Sequence, residues 1–126
     1  MKLEYLATGS PDCPLIRLHD FTPVEAGHLH AALAALAAGT AERVAVHELP
    51  IVEVVGGCRL TLIRRGWDQA VIRADRLTEF ECGFTAGTWE NVAGLVEPFA
   101  ESVGGFQWLA GAPGEAGLLL SASGGW

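Results

Sequence analysis

Two histidine–acid pairs are the residues of this sequence best suited to chemistry. They are His19-Asp20 and His47-Glu48, each at the end of a segment with the pattern of a β-strand. If these strands were neighbours, two imidazoles and two carboxylates would meet, and such a set can bind a transition metal or line a small-molecule pocket. The spacing of the four residues, however, matches no type of metal site, and alternation places both histidines on solvent-facing sides. We therefore expect neither a metal nor a cofactor, and keep a pocket at these residues as an alternative.

The cysteines offer little nucleophilic chemistry. Cys13 lies in the turn-rich segment 8–14, where the neighbouring Asp12 disfavours the thiolate that a nucleophile requires. Cys82 falls on the apolar face of a strand and is predicted to be buried. An odd number of widely spaced cysteines indicates free thiols in a reducing compartment, and residues 1–5 lack the pattern of a signal peptide. We expect a cytoplasmic protein.

Aromatic and basic residues predict a partner-binding surface. Trp67 follows Arg64-Arg65 in a glycine-containing turn, and Trp108 lies beside the polar Gln107. Exposed tryptophans are frequent at interfaces, and arginines bind carboxylates well. The sequence therefore predicts self-association or a protein partner at Trp67, Trp108, Arg64 and Arg65. The simpler role of the two arginines is charge on a solvent-facing strand.

The composition favours a folded binding domain over several other classes of protein. The 126 residues are 50% hydrophobic and 18% charged, with a net charge of −7 at pH 7. This balance predicts a single globular domain over residues 1–126. The negative charge argues against nucleic acid or an anionic membrane as partner, and no apolar run is long enough to span a membrane. Because we find no catalytic motif, we expect an acidic accessory protein that forms a homodimer or binds a protein; a small-molecule-binding protein or small enzyme is the alternative.

A first helix is indicated by strong terminal signals. Thr22 is a suitable N-cap, Pro23 occupies the first helical position, and Glu25 completes a capping box. Leucines recur at helical spacing after these residues, and Gly39 supplies the C-terminal cap. We expect an uninterrupted amphipathic helix.

A second helix is less regular. We expect Thr88 as its N-cap and Trp89 at the head of its apolar stripe. Pro98 removes a helical hydrogen bond, so a kink or a break is expected near residues 94–98.

The remaining segments predict an α+β fold. We expect about six to eight strands in the order ββα-β-β-β-β-α-β-β, forming a largely antiparallel sheet with both helices packed on one face. Gly56-Gly57 predicts a two-residue hairpin turn that opens a meander of strands. The segment 121–126, rich in serine and glycine, predicts a flexible tail, with Trp126 either disordered or docked.

Overall fold

A computed structural model describes residues 1–111 and 114–126 of the chain. The described residues form nine strands and two α-helices, with single 3-10 turns at Val46–Glu48 and Glu97–Ala100. In chain order the elements are β1 (Lys2–Leu6), β2 (Leu15–His19), α1 (Pro23–Ala38), β3 (Arg43–Ala45), β4 (Glu53–Val54), β5 (Arg59–Arg64), β6 (Ala70–Arg73), β7 (Glu79–Phe84), α2 (Ala86–Val96), β8 (Phe106–Ala110) and β9 (Gly117–Ser121). Among these elements, neither helix has the length and apolar character needed to cross a membrane.

The strands form two mixed sheets instead of the single, largely antiparallel sheet that the sequence predicts. One sheet has the order β4-β1-β2-β9-β8 and the other has the order β3-β5-β7-β6. Three neighbouring pairs, β1–β4, β2–β9 and β5–β7, are parallel. The α+β class is confirmed, but the sheet topology was predicted wrongly. Parallel neighbours are joined by long crossover connections, which the alternation within each strand does not encode.

The hairpin predicted at Gly56-Gly57 is wrong, although the turn itself is present. Both glycines have positive φ, 64° and 71°, as a tight turn requires. The strands on either side belong to different sheets, because β4 pairs with β1 while β5 pairs with β3 and β7. The predicted meander is also wrong: β7 lies between β5 and β6. The glycine pair therefore connects the two sheets.

Helix α1 confirms the terminal signals of the sequence. The Thr22 hydroxyl accepts a hydrogen bond from the backbone N–H of Glu25, and the Glu25 carboxylate accepts one from the N–H of Thr22. Gly39 ends the helix with φ of 78°, in the left-handed region. The buried stripe of α1 consists of Ala26, Leu29, Leu33 and Leu36.

Helix α2 begins earlier than predicted, because Thr85 and not Thr88 is its N-cap. The Thr85 hydroxyl accepts from the backbone N–H of Thr88 at 3.3 Å. Asp68, from the turn before β6, accepts from the Thr85 N–H and the Thr88 hydroxyl, both at 2.9 Å. These bonds hold the pKa of Asp68 below its ordinary value. At the other end α2 stops at Val96, and Pro98 lies in the following 3-10 turn, so the expected break is confirmed.

Most buried apolar side chains belong to one main core, and a smaller set lies on the outer face of the five-stranded sheet. The main core takes residues from both sheets and both helices, including Leu18 and Leu120 on the inner face of the five-stranded sheet. Leu15 and Leu119 are also 0% exposed, but they lie outside this core and alternate to the opposite face of that sheet. A second, smaller layer of structure therefore covers the outer face.

Candidate functional site

The segment 122–126 forms part of the layer over the outer face of the five-stranded sheet. The Ser121 hydroxyl donates to the Gly125 carbonyl at 2.6 Å and accepts from the Gly124 N–H at 3.0 Å. Arg17 on β2 donates from Nη1 to the Gly124 carbonyl at 2.8 Å. Gly124 is required here, because its φ is 93° and a Cβ would lie 3.2 Å from Arg17 Nη1. These contacts dock the segment that the sequence predicts to be a flexible tail.

An exposed groove lies beside this segment and β8. Its volume is about 600 Å³. We call it the aromatic groove. The Trp126 indole N–H donates to Asp12 Oδ2 at 2.9 Å, which joins segment 122–126 to the turn before β2. The Phe106 side chain is 50% exposed and that of Trp126 is 37% exposed, so two aromatic surfaces are open to a ligand. The residues lining the groove are Ser10, Asp12, Phe106, Trp108, Gly125 and Trp126.

The Trp108 indole lies over the neighbouring strand β9, where Gly117 leaves room for it. A Cβ at Gly117 would lie 2.8 Å from Cζ3 of Trp108, so only glycine lets the indole rest on β9. In the ladder Trp108 is opposite the buried Leu119. A second pocket of about 310 Å³ adjoins Trp108 and Asp12 and also includes residues 114–117. Trp108 and Asp12 are thus common to two neighbouring concave surfaces.

Sequence reasoning identified Trp108 but missed most of the aromatic groove. Asp12 was considered only as a neighbour of Cys13, and Phe106 was not singled out. Alternation could have found Phe106, since residues two apart on a strand share a face with each other. The approach of Trp126 to Asp12 spans 114 positions of sequence and leaves no local signal.

His19 is buried, whereas alternation along β2 predicts exposure. Only 5% of it is accessible, and Gly124 lies beside its ring, since a Cβ at that glycine would be 3.3 Å from Nδ1. Its Nε2 is 3.3 Å from a Glu4 carboxylate oxygen and its Nδ1 is 3.4 Å from one of Asp20. Neither nitrogen has a hydrogen-bond partner among the described residues. Burial lowers the pKa of His19 below its ordinary value of 6.5, and repulsion by Arg17 adds to this effect, while Asp20 and Glu4 oppose it.

Acidification is expected to destabilise the fold through His19. Because the folded pKa lies below 6.5, the unfolded chain binds this proton more readily, and stability present above the unfolded pKa is lost as the pH falls below it. Urea unfolding measured from about pH 7.5 to about pH 5.5 should show a falling free energy of unfolding, in a range above most carboxylate titrations. His19→Gln should flatten that slope. An identical slope in wild type and His19→Gln would contradict this role.

His47 and Glu48, the second predicted histidine–acid pair, lie next to β5 in the four-stranded sheet. The Leu60 N–H on β5 donates to Nδ1 of His47 at 3.1 Å, and Glu48 is exposed. His19 and Asp20 lie at the end of β2 in the other sheet, where Asp20 pairs with Lys2 at 3.3 Å. Within residues 1–111 and 114–126, no three His, Cys, Asp or Glu side chains are arranged to hold a metal ion.

Arg64 and Arg65, which the sequence predicts on one partner-binding surface, make separate contacts. The Arg64 side chain rests against Gly39 at the end of α1, where a cation suits the helix dipole. Arg65 crosses Gly83, approaches Glu81 at 3.5 Å, and lies 5.7 Å from the ring centroid of Trp67. Trp67 itself is 60% exposed. Arg65 and Trp67 thus form one small surface near the end of β5, while Trp108 belongs to the aromatic groove.

Two of the three cysteines are buried, and the third lies at the surface turn before β2. Cys58 and Cys82 are buried, as predicted for Cys82, and burial raises the pKa of each thiol to about 12. Cys13 is half-buried, with its Sγ 3.7 Å from the Ser10 hydroxyl. A thiolate nucleophile is therefore not favoured at Cys58 or Cys82.

The aromatic groove is the candidate site on which the proposal below rests. It combines exposed aromatic rings, a carboxylate and a glycine-dependent geometry. Comparison with protein-family models, with curated proteins and with solved structures finds no match to this chain.

Proposed function

We propose that this chain is a non-catalytic binding domain whose aromatic groove receives a cationic side chain of a protein partner. The observation that carries the proposal is the composition of the groove. Rings from Phe106, Trp108 and Trp126 share it with the carboxylate of Asp12. The groove is wide open to solvent, unlike small-molecule pockets, which bury most of their ligand. A side chain presented by a larger partner suits such an open surface.

Electrostatics favour a cation over a neutral apolar group in the aromatic groove. The faces of aromatic rings carry a negative partial charge, which attracts a cation within about 6 Å of the ring centroid. Asp12 adds a carboxylate that accepts one hydrogen bond from Trp126 and can accept more. The net charge of −7 further attracts cationic partners at long range.

Arginine fits this groove better than lysine. Its planar guanidinium stacks on aromatic faces and can donate two parallel hydrogen bonds to a carboxylate. The chain makes such aromatic contacts internally, since the guanidinium carbon of Arg73 lies 5.8 Å from the ring centroid of Tyr5. The same geometry is proposed between a partner's arginine and the tryptophans of the groove.

The alternative of an enzyme or small-molecule site at His19, Asp20, His47 and Glu48 has less support. The His19 ring is buried beside Gly124, and the His47 ring bonds to the backbone of β5. Neither histidine lines the aromatic groove. A general acid or base must reach its substrate within hydrogen-bond distance, and a buried His19 does not meet that requirement.

Titration of ¹⁵N-labelled protein with N-acetylarginine amide tests this proposal. We expect saturable shifts of the Trp108 and Trp126 indole N–H resonances. Trp108→Leu and Asp12→Asn should each weaken binding by roughly two- to tenfold, because one such contact contributes about 0.5–1.5 kcal/mol.

Matched replacements elsewhere on the surface provide the controls. Trp67→Leu and Asp75→Asn each remove the same kind of group from an exposed position. The ring of Trp67 is already in contact with Arg65, so we expect binding of the probe to stay unchanged in both variants. Equal weakening in the groove variants and the controls would overturn the proposal, as would probe binding that Trp108→Leu leaves intact.

A further inference from the structure

Strand β8 is an edge strand of the five-stranded sheet. At two of its residues the backbone N–H and C=O groups point away from β9. Ala122 N–H donates to the Gly105 carbonyl at 3.1 Å, and Gln107 is opposite Leu120 in the ladder. Hydrogen-bonded pairs alternate along an antiparallel ladder, so Gln107 is bonded to β9 while Phe106 and Trp108 direct their backbone groups to the open edge. The outward direction of the Trp108 carbonyl is consistent with its hydrogen bond, because it accepts from Nε2 of Gln107 at 3.0 Å and not from β9.

The edge at β8 lacks most of the features by which proteins protect edge strands, although an irregularity of the β-bulge type lies between Trp108 and Ala110. Residues 104–111 contain no charged side chain and no proline, and β8 is five residues long. The other edges differ: β4 has two residues, and β3 has three with an exposed Arg43. The edge of β6 is covered by Glu115, whose N–H donates to the Val71 carbonyl at 2.7 Å.

We propose that β8 pairs antiparallel with β8 of a second copy of this chain, forming a continuous ten-stranded sheet across a two-fold axis. A two-fold interface must be self-complementary, and an antiparallel strand edge meets this condition because each outward N–H faces an outward carbonyl. A strand without charge brings no like charges together, although each chain carries −7. A cationic foreign strand would find no carboxylate on β8 itself.

Two conditions together select the register of this pairing. Residues with outward groups must bond to each other, which the backbone at Phe106 and Trp108 allows in more than one register. Only with Phe106 of one copy opposite Trp108 of the other, and Gln107 opposite Gln107 at the axis, does each of these aromatic residues face another aromatic residue. Two aromatic cross-strand pairs then form, and such pairs stabilise sheets. The half-exposed Phe106 becomes covered, and the bond from Gln107 to the Trp108 carbonyl is replaced by one across the interface. This pairing needs no ligand in the aromatic groove, so it does not rest on the function proposed above, and a partner's arginine bound against Phe106 would compete with it.

Sedimentation equilibrium from micromolar to millimolar protein tests the interface. We expect a concentration-dependent dimer, and Phe106→Lys should weaken it by roughly tenfold or more, because two aromatic pairs are lost and two cations are introduced. Circular dichroism should show that Phe106→Lys stays folded, since the side chain is half-exposed. A wild type that is monomeric at every concentration would overturn the proposal.

A disulfide tests the register independently of the lysine variant. In a Cys13→Ser background, Gln107→Cys places two thiols opposite each other at the axis, within the Cα separation that a disulfide accepts. We expect rapid oxidation to a covalent dimer, whereas Asp75→Cys in the same background should remain monomeric. A dimer that neither responds to Phe106→Lys nor cross-links at position 107 would show that another surface forms it.

Discussion

Replacing Trp89 with alanine should lower the free energy of unfolding by about 3–5 kcal/mol, the largest effect expected for a single residue of this chain. The side chain is 0% exposed, and its indole N–H donates to the Ile63 carbonyl on β5 at 3.0 Å. Its ring meets Phe84 edge to face, with the centroids 5.0 Å apart. Alanine would leave a cavity and an unpaired buried carbonyl where α2 packs on the four-stranded sheet.

Chemical denaturation of Trp89→Ala and Trp67→Ala measures this difference. Trp67 is 60% exposed, so its loss should change the free energy of unfolding by only about 0.5 kcal/mol. If Trp89→Ala does not fold, Trp89→Phe keeps most of the apolar volume and should lose about 1–3 kcal/mol from the missing hydrogen bond and the smaller ring. Equal stability of the two alanine variants would contradict the position of Trp89 in the core.

Leu119→Ala should destabilise the fold by about 2–5 kcal/mol and also disturb the aromatic groove. Leu119 is fully buried on the outer face of the five-stranded sheet, opposite Trp108 in the ladder. Its removal creates a cavity beside Trp108, which lies on the neighbouring strand of the same sheet. We expect the indole N–H resonances of Trp108 and Trp126 to shift and binding of N-acetylarginine amide to weaken.

The adjacent Leu120 provides the matched control. It is equally buried but faces the main core, so Leu120→Ala should lose a similar amount of stability and leave both groove indoles unshifted. Equal shifts of the two groove indoles in Leu119→Ala and Leu120→Ala would contradict the claim that the outer face of the sheet supports the groove separately from the main core.

Local signals predicted the parts of the fold that depend on neighbouring residues. The capping box at Thr22 and Glu25 and the break at Pro98 each follow from groups within a few positions of one another. The start of α2 was predicted three residues late because Asp68, 17 positions before Thr85, stabilises the earlier cap. The observed cap thus combines a local bond from the Thr88 N–H with bonds to a distant carboxylate.

Sheet topology and the groove depend on contacts that local patterns do not contain. Gly56-Gly57 has the φ values of a turn, yet the choice of partner strands lies with β1, β3 and β7. Likewise His19 alternates to an outer face, and the residues beside its buried ring include Gly124, 105 positions later. The parallel pairing of β2 with β9 brings Asp12 and Trp126 together, so the groove could not be read from either segment alone.

The most direct test of the proposed function compares arginine with its neutral analogue. Wild-type ¹⁵N-labelled protein would be titrated in parallel with N-acetylarginine amide and N-acetylcitrulline amide, which match in shape and differ in charge. We predict that arginine shifts the Trp108 and Trp126 indole resonances to saturation, while citrulline produces no saturable shift. Equal shifts with both probes, or shifts with arginine that do not involve these two indoles, would contradict a cation-binding aromatic groove.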